Sequence, residues 1–244
     1  MANKGMTPEM LLSGAARIGF AGVDLIDETL WPMARDHGLS IVAVPGHGTL
    51  EEGLNRKENS ARIEVELRVS LESAQRWNIP VLICFSGNRN GLADDAGLDA
   101  CAETLARIAP EAEAAGVTLA IELLNSKVNH PGYQADRTPW GVALCERVGS
   151  NAVKLLYDIY HMQIMEGDLI RTIRTHHLHF AHYHTAGNPG RGPMDDNQEI
   201  YYPPIYRAIA DTGYAGYIGH EFFPKNDPLG DLETAYRQVL ASLA

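Results

Sequence analysis

The sequence has little positive charge for its length. Its 244 residues include 20 lysines and arginines against 31 aspartates and glutamates, which gives a formal net charge of -11 at pH 7. Nucleic-acid binding relies on clustered basic residues that neutralise phosphates and release counterions. We therefore expect no nucleic-acid partner and a small-molecule substrate.

Long apolar runs are also missing. No window approaches the roughly 18 uninterrupted apolar residues that indicate a membrane span. The opening MANKGMTPEM lacks the charged and apolar regions of a signal peptide. We expect no membrane association and a cytoplasmic protein.

Cysteine is scarce. Cys84, Cys101 and Cys145 are odd in number and far apart, and no CxxC pair occurs. This pattern favours neither a disulfide framework nor a zinc knuckle, so we expect reduced, buried or half-buried thiols. Internal repeats and low-complexity linkers are absent too, and the length suits one large domain, so we expect a single domain over residues 1–244.

What the sequence does contain is a regular alternation of strand-like and helix-like segments. The strand-like runs are FAGVDLI, LSIVAVPG, IPVLICFSG, VTLAIELLN, VKLLYDIY, LHFAHYHTA and YIGHEFFP. Helices are predicted over residues 6–18, 30–37, 60–77, 98–115, 140–148, 167–174, 203–212 and 231–243. This alternation predicts an α/β fold with a parallel sheet, closed into a TIM (β/α)8-type barrel. Because the opening helix has no strand before it, we expect the first strand of that barrel to be shortened or missing.

Polar residues stand where four of these strands end. They are Glu122, Asp158, His184 and Glu221. Since the carboxyl ends of parallel barrel strands meet at one mouth, and side chains alternate between faces, we expect these four to converge. Three close carboxylates repel one another unless a cation neutralises them. Three oxygen donors and one imidazole suit Mg²⁺, Mn²⁺ or Co²⁺ better than structural zinc.

A simpler interpretation exists for each of these residues. A lone glutamate at a strand end is more often a helix cap or an ion-pair partner, and a lone buried histidine is usually a hydrogen-bonded core residue. We assign His176, His177 and His179 to that ordinary class, as a solvated turn and the outer face of a strand. The joint placement of the other four on successive strands favours the metal site.

Further polar residues lie next to the predicted site and could bind substrate. Arg191 follows His184 in a Gly/Pro-flanked loop, where a guanidinium could hold a carboxylate. The other candidates are His161, Asn125 and Lys127, and Glu199 could orient a neighbour. Ordinary loop solvation remains the alternative for each of them.

Five stretches resemble a known family. They are IELLNSK, KLLYDIYHMQIMEGD, HYHTAGNPGR, QEIYY and GYIGHEFFP, which look like the hydroxypyruvate isomerase-like group of the xylose isomerase-like TIM barrels. The resemblance implies that Glu122 and Glu221 are an acid/base pair and that His161 and Arg191 contact substrate. It also implies four metal ligands, Glu122, Asp158, His184 and Glu221. The implied activity is metal-dependent isomerisation of hydroxypyruvate to tartronate semialdehyde, or of a related ketose or aldose, through an enediolate.

The chain departs from that pattern at two positions. Hydroxypyruvate isomerases proper tend to have glutamine where this chain has His184, whereas ketose 3-epimerases of the same superfamily have histidine. The usual asparagine of the QEINY pattern is Tyr201 here. A 3-epimerase and a non-catalytic sugar-binding barrel therefore stay open as alternatives. A zinc endonuclease is disfavoured by the acidic charge. The expected partner is a sugar or a 2-keto acid, and a homo-oligomer is expected from the pairing of helices in such barrels.

Overall fold

The computed structural model describes residues 6–225 and 227–244, and each predicted strand lies within them. The strands are β1 Gly22–Asp24, β2 Ser40–Pro45, β3 Val81–Cys84, β4 Thr118–Glu122, β5 Val153–Asp158, β6 Phe180–Thr185 and β7 Ile218–His220. The helices are α1 Pro8–Ile18, α2 Trp31–Asp36, α3 Ser60–Trp77, α4 Asp94–Ala115, α5 Thr138–Val148, α6 Ile159–Met165, α7 Leu169–His176, α8 Tyr202–Asp211 and α9 Pro228–Leu243. Three short 3-10 helices occupy Glu28–Leu30, Lys57–Asn59 and His177–His179.

The strands form one parallel sheet in chain order, from β1 to β7. The sheet curls into a nearly closed barrel with the helices outside it, which confirms the predicted TIM-barrel class. Side chains span the seam between the two edge strands: the ring of Phe20 packs edge-on against His220 at 5.8 Å and tilts against Tyr236 of α9 at 5.2 Å. In the part of the chain that the structure describes, no strand lies between β7 and β1. The question of a first strand ahead of α1 falls on residues 1–5, outside the described residues.

Two apolar clusters fill the fold. The smaller lies inside the barrel, and its fully buried members are Ala43, Val81, Ile83, Ala120 and Leu156. The larger lies between the sheet and the helices, where α3 contributes apolar residues at helical spacing: Ile63, Leu67, Leu71 and Ala74. The barrel interior is thus packed with side chains below its mouth, and polar residues can gather only at the rim.

Helix boundaries follow local signals where those signals are strong. The Thr7 side chain accepts a hydrogen bond from the Met10 N–H, Pro8 stands in the first turn, and Gly19 ends α1 with φ of 113°. Each of these residue types favours the position that it occupies, and the helix matches the predicted range 6–18 closely. α4 begins at Asp94, one turn before the predicted start at Leu98.

The predicted strand VKLLYDIY is too long. β5 ends at Asp158, and the chain turns at once into α6, which periodicity did not predict. The cause is the Asp158 side chain, which caps α6 by accepting a hydrogen bond from the His161 N–H at 3.1 Å.

The three cysteines are free and buried, as their number and spacing predicted. Within the described ranges, no helix combines the length and the apolar character that crossing a membrane would require.

The packing of α3 gives a test of the fold. Leu67 is fully buried, whereas Val69 on the same helix is 60% exposed. We expect Leu67→Ala to lower the free energy of unfolding by about 2–5 kcal/mol, because a cavity remains in the core. Val69→Ala is the matched control and should change it by no more than about 0.5 kcal/mol. Urea unfolding measures both, and equal losses would contradict the described orientation of α3.

Candidate active site at the barrel mouth

The alternation of β4 and β5 carries two carboxylates to the mouth. Ala120 and Leu156 belong to the apolar layer inside the barrel. Glu122 and Asp158 follow them by two residues and therefore point to the same interior, one layer higher. Both carboxylates are buried.

β6 reaches the same layer through an irregularity in its register. Leu155 pairs with Phe180, but Leu156 pairs with His182, so Ala181 is an extra residue in β6. Strict alternation along β6 would place Phe180 on the same face as His184, and the extra residue breaks that alternation. Phe180 stacks on Tyr157 at 4.5 Å in the outer core, whereas His182 and His184 turn inward. A bulge of this kind re-aims the side chains that follow it.

The four predicted ligands come together. One ligand atom from each of Glu122, Asp158, His184 and Glu221 lies within 4.8 Å of all the others. His184 Nδ1 is 2.9 Å from the Glu221 carboxylate and 3.8 Å from that of Glu122. Glu221, just beyond β7, is partly exposed and gives the cluster its opening to solvent.

The pKa values of the three carboxyl groups are shifted in different directions. Burial raises the pKa of Glu122, and the nearby charges of Glu221 and Asp158 add to that rise. Burial also raises the pKa of Asp158. Burial acts in the same sense on Glu221, but contacts with His184 and Arg191 prevail and lower its pKa to about 2. Two carboxyl groups with separated pKa values are the arrangement that acid/base pairs use.

The donor set fits a divalent cation. Burial opposes charge on His184, yet the surrounding carboxylates raise its pKa well above the ordinary value. Among the described residues, both ring nitrogens of His184 are buried without a hydrogen bond of good geometry, although Nδ1 faces the Glu122 and Glu221 carboxylates and Nε2 faces Asp24. A buried imidazole nitrogen without a hydrogen bond, surrounded by three carboxyl groups, is the arrangement expected of residues that bind a cation. The oxygen-rich set favours Mg²⁺, Mn²⁺ or Co²⁺.

Arg191 borders this cluster. Its Nη2 lies 2.6 Å from the Glu221 carboxylate and 3.3 Å from that of Asp158, and its Nε donates to the Glu221 carbonyl oxygen. The guanidinium also lies over the ring of Tyr160, 5.6 Å from the centroid. The loop that carries Arg191 is closed by two backbone hydrogen bonds, one in each direction, between Gly187 and Gly192. Arg191 is thus fixed at the rim beside the acids.

His161 has a defined tautomer. Its Nδ1 accepts from the Asn125 backbone N–H at 3.1 Å and lies 2.6 Å from the Asn125 amide nitrogen. The Asn125 side-chain oxygen Oδ1 accepts from the backbone N–H groups of Val128 and Asn129, which fixes the orientation of the side-chain amide. The neutral ring therefore carries its proton on Nε2, which lies 3.1 Å from Nη1 of Arg191. The N–H groups of Arg191 Nη1 and His161 Nε2 are therefore neighbouring donors, and one acceptor atom of a ligand can accept from both.

The other predicted substrate contacts are placed differently. Asn125 is fully buried and acts on the site through His161. The Lys127 ammonium donates to the carbonyl oxygens of Ile164 and Met165 at the end of α6, so the structure does not bring it to the cluster. Glu199 does orient a neighbour, because its carboxylate accepts from the Asn188 amide.

Two residues at the site, Asp24 and His130, were missed by the sequence analysis. Asp24 ends β1 just as Asp158 ends β5, so the strand-end signal was present and was not used. Its carboxylate lies 2.9 Å from His182 Nε2. His130 is half-buried with its ring 5.3 Å from that of His161. It stands in a loop without periodicity, where no sequence signal marks it.

Comparison with known proteins agrees with this geometry. A family model described as Xylose isomerase-like TIM barrel matches residues 12–244. The 2-oxo-tetronate isomerase of Cupriavidus necator is 37% identical over 123 residues, which are 50% of this chain and 46% of that protein. The hydroxypyruvate isomerase of Escherichia coli is 36% identical over 108 residues, 43% of this chain and 42% of that protein. The chain thus spans less than half the length of these two curated relatives.

A solved structure extends the likeness over nearly the whole chain. The AP endonuclease, family 2, from Brucella melitensis superposes with a TM-score of 0.82 at 25% sequence identity, covering 94% of this chain and 92% of that one.

The hydrogen bonds of His161 give a test of the site. Burial lowers the pKa of His161 well below 6.5. We therefore expect a neutral ring with its proton on Nε2 at every pH at which exposed histidines titrate. A two-bond proton–nitrogen correlation spectrum of histidine-labelled, metal-free protein reports the tautomer, and the spectrum of His161→Gln assigns the signal. Titration of that signal near pH 6.5, or a proton on Nδ1, would contradict the described contacts.

Proposed function

The chain belongs to the xylose isomerase-like TIM barrel family and, within it, to the hydroxypyruvate isomerase-like group, and on that premise we propose that it is a divalent-metal-dependent isomerase of a small hydroxy-carbonyl compound. The proposed reaction interconverts hydroxypyruvate and tartronate semialdehyde, or a related ketose and aldose. The observation that carries the proposal is the meeting of Glu122, Asp158, His184 and Glu221 within 4.8 Å.

The proposed cation is held by those four side chains. When bound, it supplies Lewis-acid polarisation of the carbonyl and neighbouring hydroxyl oxygens, which acidifies the C–H bond between them. Burial of the ligands strengthens this effect, because charges interact more strongly where water is excluded.

Glu122 and Glu221 move the proton. One carboxylate removes a C–H proton from the hydroxymethyl carbon, and the other returns a proton to the former carbonyl carbon. The hydroxyl proton passes between the neighbouring oxygens of the enediolate, so one C–H bond breaks, one forms, and no redox partner is needed. The low pKa of Glu221, about 2, favours it as the group that starts ionised. Glu122 is then the carboxylate that returns the proton.

Arg191 and His161 orient the substrate. Arg191 Nη1 and His161 Nε2 are both donors and lie 3.1 Å apart. An oxygen acceptor placed at this pair receives two hydrogen bonds, one of them charge-assisted. A substrate carboxylate suits this position, which favours a 2-keto acid.

A ketose 3-epimerase is the second candidate. The observation that favours it is His184, which the 3-epimerases share and hydroxypyruvate isomerases proper tend to replace by glutamine. The same pair of glutamates would then act on opposite faces of one carbon. A sugar-binding barrel without turnover would retain the cluster but exchange no C–H proton.

Replacing one acid/base residue tests the catalytic assignment. We expect Glu221→Gln to lower the turnover number by about 10²–10⁴-fold while the fold is kept, because the amide cannot accept the proton. The assay follows deuterium incorporation from deuterium oxide into hydroxypyruvate and a panel of ketohexoses, with Mn²⁺ or Mg²⁺ present. The position of the incorporated deuterium separates isomerase from 3-epimerase.

Glu111→Gln is the matched control. Glu111 lies exposed on α4 and pairs with Arg68, away from the mouth, so its turnover number should equal that of the unaltered chain. Full activity of Glu221→Gln would remove Glu221 from the mechanism. Exchange into none of the compounds would instead favour the binding barrel.

Removal of one ligand charge tests the metal site. Asn can still cap α6, so Asp158→Asn should keep the fold and remove only a ligand charge. We expect Mn²⁺ affinity to fall by at least about 100-fold, more than the loss of an outer hydrogen-bond partner costs. Asp168→Asn, at the exposed start of α7, is the control. Isothermal titration gives both affinities, and equal affinity in the two variants would exclude Asp158 as a ligand.

A further inference from the structure

Asp24 stands beside the proposed metal ligands without being one of them. The register of β1 on β2 shifts between Val23 and Asp24. Asp24 Oδ2 lies 2.9 Å from His182 Nε2 and 3.3 Å from His184 Nε2. Both histidines are fully buried, and the Asp24 side chain is 15% exposed. A carboxylate from the first strand thus meets two imidazoles from the sixth, across the seam of the barrel.

The two ring nitrogens of His184 face different groups. Nδ1 faces the carboxylates of Glu221 and Glu122, at 2.9 Å and 3.8 Å. Nε2 faces Asp24. An imidazole binds a metal through a lone pair, so a ligand at Nδ1 must carry its proton on Nε2. The acceptor that faces this proton is the Asp24 carboxylate.

The backbone of β7 leaves room for this contact. Gly219 pairs with His184 in the sheet. A Cβ at Gly219 would overlap Asp24 Oδ2 and would lie 2.8 Å from His184 Cδ2. A side chain at Gly219 would push the Asp24 carboxylate away from the His184 imidazole, so glycine at this position preserves their contact.

We infer that Asp24 is a positioning residue that accepts the Nε2 proton of His184 and thereby turns its Nδ1 lone pair toward the cation. This inference rests on the metal site of the proposed function. His182 donates to the same carboxylate oxygen and holds it in place. Metal-bound histidines are commonly oriented by such a carboxylate on their other nitrogen.

The same three residues could be interpreted in another way. Asp24, His182 and His184 also lie close enough to be a metal group of their own. A second ion there would compete with the proposed hydrogen bond for Nε2 of His184. The positioning role requires one cation per chain, and the second-site interpretation requires two.

Asp24→Asn tests the inference, because it keeps the shape and removes the charge. We expect its Mn²⁺ affinity to fall by about 10–100-fold, with a stoichiometry of one in the variant and in the unaltered chain. In the Co²⁺-loaded unaltered chain, the proton spectrum should show one slowly exchanging, strongly shifted imidazole N–H. That signal should be lost or exchange rapidly in Asp24→Asn, which a merely structural role would not produce.

Asp27→Asn is the matched control. Asp27 caps the 3-10 helix three residues further on and is bonded to Thr29, so its Mn²⁺ affinity and its N–H signal should match those of the unaltered chain. Gly219→Ala is a second variant that alters no charge, and it should weaken Mn²⁺ binding by about 10-fold by displacing the pair. If Asp24→Asn does not fold, the Mn²⁺ affinity of Gly219→Ala tests the positioning role of Asp24.

The outcomes separate the inference from the proposed function. Unchanged affinity in Asp24→Asn and Gly219→Ala, a retained N–H signal, or two cations in the unaltered chain would overturn the positioning role while leaving the metal site standing. A lack of any cation binding by the unaltered chain would overturn the proposed function itself, and the role of Asp24 with it.

Discussion

Three carboxylates repel one another at one end of the barrel, and the other groups of the site must compensate this repulsion. Glu122 and Asp158 are buried, and they lie with Glu221 within 4.8 Å of a common imidazole. Burial alone would drive such groups to take up protons. Arg191 supplies one positive charge next to Glu221 and Asp158. The proposed divalent cation would neutralise the remaining charge and keep all three acids ionised and close together.

Apolar side chains fill the barrel interior below these acids. Ala120 and Leu156 pack in the layer below Glu122 and Asp158 and leave these carboxylates no polar partner on that side. Parallel strands deliver their carboxyl ends to one rim, which lets residues far apart in sequence share one ion. The register irregularity in β6 then points His182 and His184 inward in two successive layers, beside Leu156 and Asp158 respectively.

Sequence patterns were sufficient for the features that depend on period and on strand ends. They predicted the seven strands and the convergence of Glu122, Asp158, His184 and Glu221. They failed in β6, where one extra residue places Phe180 on the opposite face of the sheet from His184. A β-bulge of this kind cannot be read from the pattern of apolar and polar residues. They also failed for Lys127, whose partners are main-chain carbonyls of α6. Asp24 could have been found, since it stands at the end of its strand, as Glu122 and Asp158 do.

The chemistry and the choice of substrate belong to separable parts of the mouth. Asp158 is tied to α6 as its cap, and His161 is tied to Asn125 through Nδ1. Such side chains cannot adapt to a new substrate without disturbing a helix or a turn. Among the described residues, His130 forms hydrogen bonds through its backbone alone, and its half-buried ring contacts that of His161. A change of side chain at His130 would therefore alter the rim of the mouth and leave the four-residue cluster intact.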